Sequence, residues 1–334
     1  MDPLTQGVLG AALPQASLRD RRLAPIAALC GAVGGMAADL DVAISSSSDP
    51  LLFLEYHRQF THSLAFIPLG GLICAGLLHV LFRHRWKITF KQTYVFAALG
   101  YATHGLLDAC NSYGTQLLWP FSDVRVDWSV VSIIDPLFTL PLMAAVVLTT
   151  LKRNVKFARI GLAWGALYLL AGLAQRETAE SMAAELAQAR GHEPDDIQAK
   201  PSFGNIIVWK TIYDVDGRFY VDAVRAGFRP RVFEGASIAR LDLARDFPWL
   251  RTDTQQARDV ERFTWFSQDY VARDRADPAR IIDVRYSLAP DDIDALWSIT
   301  LDPQASPDAH TPYQNHRRNV RESSRRLWRM ITGP

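Results

Sequence analysis

Tyr94-Val95-Phe96-Ala97-Ala98-Leu99-Gly100-Tyr101-Ala102-Thr103-His104-Gly105-Leu106-Leu107-Asp108 reads as a membrane helix that carries two ionisable groups near one end. His104 and Asp108 are four residues apart, so on a helix imidazole and carboxylate share one face, one turn apart. Ionisable groups at membrane depth cost roughly 2.5–3.5 kcal/mol each on insertion scales, and they require a partner, a water-filled cavity or a metal. Asp39, Asp41, His57, His62 and Asp135 lie in or beside neighbouring apolar segments. The expectation is a metal site at one face of a helical membrane bundle.

The averages over the whole chain conceal this. The 334 residues are 49% hydrophobic, carry a net charge of +1 and have a mean hydropathy of zero, as an ordinary soluble protein would. Along the chain, however, the long apolar runs nearly all precede residue 174. The near-neutral charge gives no reason to expect a nucleic-acid partner. Cys30, Cys74 and Cys110 match no zinc spacing and read as small buried hydrophobes. The first residues, Met1-Asp2-Pro3-Leu4-Thr5-Gln6, lack the basic region of a signal peptide, and the first span is expected to be retained.

Five apolar segments approach the ~20 residues that a ~30 Å hydrocarbon core requires. They are Leu23–Ile44, Leu64–Phe82, Tyr94–Cys110, Ile133–Leu151 and Phe157–Ala174, the third being short. Leu4–Leu13 is too short to span and reads as a buried or re-entrant piece. Arg19, Arg21 and Arg22, then Arg83, Arg85, Lys87 and Lys91, then Lys152, Arg153, Lys156 and Arg159 fall in alternate loops. The positive-inside rule makes those loops cytoplasmic. It puts the intervening loops, with only Arg58 and Arg125, outside. Every candidate ligand then comes out at the same, outer face, and so does the C-terminal half.

Imidazole plus carboxylate suits zinc first, with manganese or iron as alternatives. Thr61 reads as an N-cap, with His62 opening the second span. Asp39 and Asp41 flank Leu40 and would point about 200° apart on an α-helix. Both can serve one site only if the helix ends there or if two metals bind. Asp135 precedes Pro136 and reads as a ligand, a partner to a histidine, or a helix N-terminal carboxylate. Asp41 and Asp135 are the candidates for a general base. Arg58, Asn111 and Arg125 are the candidates for binding substrate; Arg125 either meets a phosphate or pairs with Asp123 or Asp127.

Several ordered fragments carry a family resemblance. Met1-Asp2-Pro3-Leu4-Thr5-Gln6-Gly7, Asp39-Leu40-Asp41, His57-Arg58-Gln59-Phe60-Thr61-His62-Ser63-Leu64, His104-Gly105-Leu106-Leu107-Asp108, Asn111-Ser112-Tyr113-Gly114 and Trp119-Pro120-Phe121 are similar to the membrane-bound metal-dependent hydrolases. Those proteins are described as LexA-regulated inner-membrane hydrolases. The resemblance covers about residues 1–175; beyond them only Asn205 to Trp209 and Asp283-Val284-Arg285-Tyr286 carry it, weakly. That family is in turn similar to zinc-dependent phospholipases C and single-strand nucleases. It implies phosphoester hydrolysis with Asp39, Asp41, His57, His62, His104 and Asp108 as ligands. One departure stands out: many members read Thr-His where this chain has Thr5-Gln6, and Gln6 is a poor zinc ligand.

After residue 175 the pattern changes. Gln175–Arg190 and Gln256–Asp269 read as helices. Asn205–Asp214 and Arg218–Arg225 alternate around Asp216-Gly217, a hairpin signal. Arg280–Leu288 and Ala295–Leu301 read as strands, and His316–Ile331 is a basic tail, helical or disordered. The fold expectation is an α-helical integral membrane domain over residues 1–175 followed by a small soluble α+β domain over 176–334. The functional expectation is a multi-pass inner-membrane hydrolase, metal-dependent, with its site and C-terminal domain on the periplasmic side. A membrane lipid or lipid-linked substrate is expected from that location. The alternatives are a transporter or proton-handling protein using the same side chains, or a metal that only pins helix ends.

Overall fold

The computed structural model describes residues 1–227, 229–317 and 319–333. The chain divides into two compact units: residues 1–43, 56–173 and 203–205, and residues 44–55, 174–202 and 206–334.

The first unit is helical. Its elements are α1 (Pro3–Ala16), α2 (Ala24–Ala37) continuing into a 3-10 turn (Ala38–Ala43), then, after α3 (Leu52–Tyr56), α4 (Ile67–Trp86), α5 (Phe90–Ala109), α6 (Pro136–Lys152) and the first half of α7 (Lys156–Ala189). Three helical stretches, Arg21–Ala43, Leu64–Trp86 and Lys156–Ala189, are long and apolar enough to cross a membrane. The expected third and fourth spans fall on α5, which carries the ionisable pair, and on α6, of 17 residues. α5 begins earlier than its apolar run because Thr89 and Gln92 form a capping box at its start. The Leu4–Leu13 piece is the buried helix α1.

Helices that pack in an apolar setting gain little from excluding water and rely on close backbone approach. A Cβ on Gly34 would lie 2.2 Å from the Ala97 carbonyl oxygen, and one on Gly100 2.1 Å from that of Gly31. α2 and α5 therefore touch backbone to backbone. Gly10 and Gly35 bring α1 equally close to α2.

The second unit holds two antiparallel sheets, in the orders β1 (Ile197–Pro201), β2 (Val208–Val215), β3 (Arg218–Arg225), β4 (Arg231–Ala239) and β5 (Val271–Arg273), β6 (Arg280–Asp283), β7 (Trp297–Thr300), β8 (Tyr313–Asn315). The expected hairpin is β2–β3, closing at Val215 opposite Arg218, with positive φ at both Asp216 and Gly217. α8 (Leu243–Asp246), α9 (Gln255–Phe266) and α10 (Val320–Thr332) complete the unit. Leu51 and Leu54, from the segment before the first histidines, share a buried cluster with Phe247, Val260, Phe263 and Ile281.

Three corrections apply to the sequence reading here, and one alternative is decided. Gln175–Arg190 is not a separate helix but the second half of α7, because nothing in Phe157–Arg190 breaks the helix. Arg280–Leu288 is strand only to Asp283, since Asp283 turns back to accept from the Arg285 backbone and side chain. β1, β4, β5 and β8 were not anticipated; β4, Arg-Val-Phe-Glu-Gly-Ala-Ser-Ile-Ala, lacks clean alternation. The basic tail is helical over α10, with Leu327 and Met330 buried against Val208 and Ala223.

Lys210 on β2 is buried, and its Nζ donates to Ser287 Oγ and the Asp292 carbonyl, both at 2.8 Å. Burial pushes its pKa down to about 7, against the pull of Asp292, Asp283 and Asp291. Because the folded pKa lies below the unfolded one, the unfolded chain binds more protons from about pH 7 to about pH 10.5. Stability contributed through this group should therefore rise with pH across that window, by up to about 1.4 kcal/mol per unit. Lys210→Met should lose that slope, which denaturation midpoints at pH 7 and 9 would reveal.

Candidate metal centre

The candidate ligands reach the site from three directions. α2 tightens after Ala37 into the 3-10 turn that carries Asp39 and Asp41. The segment from Tyr56 to Phe66, with two short 3-10 turns, carries His57, Arg58 and His62. The last turn of α5 carries His104 and Asp108. The middle segment is anchored by backbone bonds: Leu64 N–H to the Leu117 carbonyl, and Gln116 N–H to that of Arg58, both at 3.0 Å. The Tyr101 hydroxyl donates to the Thr61 carbonyl at 2.8 Å.

Four donor atoms converge: Asp39 Oδ1, His62 Nε2, His104 Nε2 and Asp108 Oδ2, all within 4.8 Å of one another. The two imidazole nitrogens face each other at 2.9 Å. Asp39 Oδ1 is 3.4 Å from each of them; Asp108 Oδ2 is 3.4 Å from His62 and 3.9 Å from His104. Tetrahedral zinc with ligand bonds of about 2.0–2.1 Å would hold its donors about 3.3–3.4 Å apart. A second group, Asp39, Asp41 and His57, adjoins the first and shares Asp39 with it.

The outward atoms of His104, His62 and Asp108 are engaged. His104 Nδ1 donates to the Gly35 carbonyl at 2.5 Å, a group freed by the approaching end of α2. His62 Nδ1 lies 3.0 Å from Thr61 Oγ1 and 3.2 Å from Asp41 Oδ2. Each ring so held presents Nε2 inward, the arrangement that fixes the tautomer of metal-binding histidines. Asp108 Oδ1 accepts from the Met1 amine, from Gln6 Nε2 at 2.9 Å and from Asn111 Nδ2 at 3.3 Å. Its Oδ2 is buried without a hydrogen bond and faces the two imidazoles. A buried carboxylate oxygen with no hydrogen bond, ion-paired to Arg58 Nε at 3.2 Å and set beside two inward nitrogens, fits a cation ligand. Zinc, manganese or iron would be held by Asp39, His62, His104 and Asp108.

His62 is fully enclosed, and burial opposes charging it. Its bonds to Asp108, Asp39 and Asp41 outweigh that and push its pKa up to about 10. Asp39 and His57 keep side-chain exposures of 21% and 27%, so the cluster is accessible from their side.

Asp41 is buried under four donors: His57 Nδ1 at 2.8 Å, the Arg58 N–H at 3.1 Å, Thr61 Oγ1 at 2.7 Å and His62 Nδ1 at 3.2 Å. A carboxylate so saturated orients its neighbours better than it accepts a further proton. Arg58, one of the few residues other than glycine with positive φ (67°), reaches Asn111 Oδ1 with Nη1 at 2.9 Å. Its Nε lies 3.2 Å from Asp108 Oδ2. Arg58 and Asn111 therefore sit at the cluster. Gln6 also reaches it, and its Oε1 is buried without a hydrogen bond.

The structure decides between the readings of Asp135, corrects that of Thr61 and gives Arg125 a backbone partner. Asp135 does not join the cluster: it caps α6 through the Leu137 and Phe138 N–H groups and accepts from the Tyr168 hydroxyl at 2.8–2.9 Å. Of its three readings, the helix N-terminal carboxylate is the one this placement bears out. Thr61 is not an N-cap, because the buried Asp41 carboxylate takes its hydroxyl; Ser63 caps the next turn instead. Arg125 donates to the Gly114 carbonyl at 2.9 Å, bracing the turn after Asn111. Sequence reasoning also passed over the Gly35 carbonyl and Gly105, which no ligand spacing signals.

Gly105 offers a test that leaves every donor in place. A Cβ there would lie 2.1 Å from the His62 carbonyl oxygen, a backbone atom that cannot swing aside. Gly105→Ala should cost about 1–3 kcal/mol by overpacking and move His62 away from His104. The expected result is lost metal with a lowered thermal midpoint, read by elemental analysis beside differential scanning fluorimetry.

Comparison with known proteins bears on the helical half. An 82-residue stretch is 33% identical to "Inner membrane protein YbcI" of Escherichia coli (strain K12), covering 23% of this chain and 44% of that protein. A 152-residue stretch is 26% identical to "Uncharacterized protein YfhP" of Bacillus subtilis (strain 168), covering 44% of this chain and 45% of that one. The chain thus matches less than half the length of either relative. No solved structure matches. The sequence model described as YdjM inner membrane protein matches residues 1–179, more than half of the chain. The helices with membrane-spanning character and the buried His/Asp cluster lie in that same part, and the chain belongs to the YdjM inner membrane protein family.

Proposed function

We propose that this protein is a multi-pass inner-membrane hydrolase that uses a divalent cation, zinc first, against a phosphoester in a lipid or lipid-linked molecule. The observation that carries the proposal is the convergence of Asp39 Oδ1, His62 Nε2, His104 Nε2 and Asp108 Oδ2. The outward nitrogens of both rings are tied back, and Asp108 Oδ2 faces both rings with no hydrogen bond of its own, paired only in charge with Arg58. Asp39, Asp41 and His57 offer a second position that shares Asp39.

A bound divalent cation would supply a Lewis acid and, by taking a coordination position beyond these four donors or by sitting at the second position, would lower the pKa of a coordinated water toward about 7. The chain's own residues do the rest. The Gly35 carbonyl and the Thr61–Asp41 pair hold the imidazoles in their inward tautomers. Asn111, Gln6 and Arg58 hold the Asp108 carboxylate. Arg58 retains Nη2 without a hydrogen bond among the described residues and is positioned to steady a substrate phosphate oxygen. Asp39 and His57 border the accessible side, where substrate would enter. The distribution of Lys and Arg between loops supports a periplasmic site and C-terminal domain, and the membrane setting supports a lipid-like substrate.

Elemental mass spectrometry on the full-length protein, purified in detergent with zinc or manganese supplied, is the test. It is paired with hydrolysis of p-nitrophenyl phosphate and p-nitrophenyl phosphorylcholine. About one to two equivalents of metal with metal-dependent turnover is the expected result. Metal without turnover on these or on phospholipids would favour a purely structural ion. Absence of metal would overturn the proposal and leave two imidazoles sharing a proton, the arrangement of an ion-handling protein.

A further inference from the structure

The second unit contains a groove of about 500 Å³ lined by four arginines, Arg218, Arg245, Arg273 and Arg275, with Asp246 and Asp274. Its wall is completed by Ile238, Ala239 and Pro278. Four guanidinium groups around one space repel each other unless carboxylates or a ligand offset them, so where each charge is spent decides what the groove can take.

Both carboxylates are already engaged. Asp246 forms a two-pronged pair with Arg245, Nε to Oδ1 at 2.9 Å and Nη2 to Oδ2 at 2.7 Å. Asp274 accepts from Arg280 Nη1 at 2.8 Å and from the Ala276 N–H at 2.9 Å. The other three arginines hydrogen-bond only neutral groups, although Arg273 also lies close enough to Asp246 to help hold that carboxyl below the usual range. Arg218 Nη1 donates to Ser237 Oγ at 3.2 Å, and Arg275 Nη2 to the Ser237 carbonyl. Arg273 Nε donates to the Pro278 carbonyl at 2.7 Å, while its guanidinium stands 5.3 Å from the centre of the Phe247 ring. Arg273 is thus anchored at Nε and stacked on one face, with Nη1 and Nη2 unbonded among the described residues. Arg218 likewise keeps Nε and Nη2. Three guanidinium groups that hydrogen-bond no carboxylate, two of them with free fork-shaped donors, fit a phosphate group, whose oxygens accept from guanidinium in pairs.

We propose that this groove binds a phosphate-bearing anion, held chiefly by Arg218 and Arg273, with Arg275 adding charge at its rim. The site lies wholly within the second unit and shares no residue with the His/Asp cluster, so it stands whether or not that cluster hydrolyses anything.

The test uses full-length protein in a non-ionic detergent, with EDTA present so that phosphate at the metal centre does not contribute. Isothermal titration is run with inorganic phosphate and, separately, with soluble dihexanoyl phosphatidic acid, at constant ionic strength. Two variants accompany the wild type: Arg218→Gln/Arg273→Gln, and Ala239→Glu, which adds a negative charge to the wall and removes no arginine. The expected result is binding that weakens at least about tenfold in each variant, since a lost charged hydrogen bond is worth more than one such factor. Binding of both probes, or of inorganic phosphate alone, supports the site and marks a soluble phosphate as sufficient; binding of the lipid alone supports it and marks a headgroup as the source. No binding of either probe, or equal binding in wild type and both variants, overturns the proposal. If the double variant fails to fold, Ala239→Glu alone decides.

Discussion

His104→Ala and Asp108→Asn should each strip the cation from the purified protein and abolish metal-dependent turnover while leaving the helical unit assembled. The two substitutions are chosen for what they leave behind. Asp108→Ala would remove the partner of the Met1 amine, Gln6, Asn111 and Arg58 at once and leave buried donors stranded. Asn keeps the shape and one acceptor oxygen but presents no anionic Oδ2 to the imidazoles. His104→Ala frees the Gly35 carbonyl and removes one neighbour each from His62 Nε2 and Asp39 Oδ1, both of which keep others. Outer-shell changes at metal sites cost about 10–100-fold in affinity, and loss of a direct ligand should exceed that. Elemental analysis alongside size-exclusion chromatography separates the cases. Metal lost from a monodisperse peak supports the site, whereas full metal retention in both variants would exclude these two residues as ligands.

The largest effect on stability should come from the second unit. Asp283 and Arg285 form a fully buried pair, Nη2 to Oδ2 at 2.7 Å and Nε to Oδ1 at 3.0 Å. Arg285 also donates to Gln268 Oε1 at 2.8 Å and to the Phe266 carbonyl at 2.9 Å. Removing one partner leaves the other charge uncompensated in the interior, which typically costs about 3–5 kcal/mol. Asp283→Leu and Arg285→Met should each show that loss. The double variant Asp283→Leu/Arg285→Met should lose less than the sum, because neither charge then remains buried alone. Chemical denaturation of the four proteins closes the cycle. Additive losses would show that the pair is not coupled.

Much of this protein was legible in the order of its residues. A run of apolar residues must be buried or placed in lipid whatever surrounds it, so α2, α4 and α7 announce themselves. His104 and Asp108 share a face through helical periodicity alone. Asp216-Gly217 calls for a tight turn because few other pairs tolerate positive φ at both positions. The gathering of Asp39, His57, His62, His104 and Asp108 at one end of the helices also followed, from which ends of which segments they occupy.

Tertiary structure decided the rest, because roles assigned between distant residues leave no periodic trace. Asp39 and Asp41 cannot share a face of an α-helix, yet the tightening of the chain after Ala37 turns one to His62 and His104 and the other to His57 and Thr61. Asp135 has the composition of a ligand, and only the approach of Tyr168 and the start of α6 assign it to capping. Gln6 is an ordinary polar residue until α1 packs close enough to bring it to Asp108. Local sequence specifies which groups are present and which face of an element they occupy. Which of them meet is set by backbone contacts such as Gly34 on Ala97 and Gly105 on His62, where the absence of a side chain is the whole of the signal.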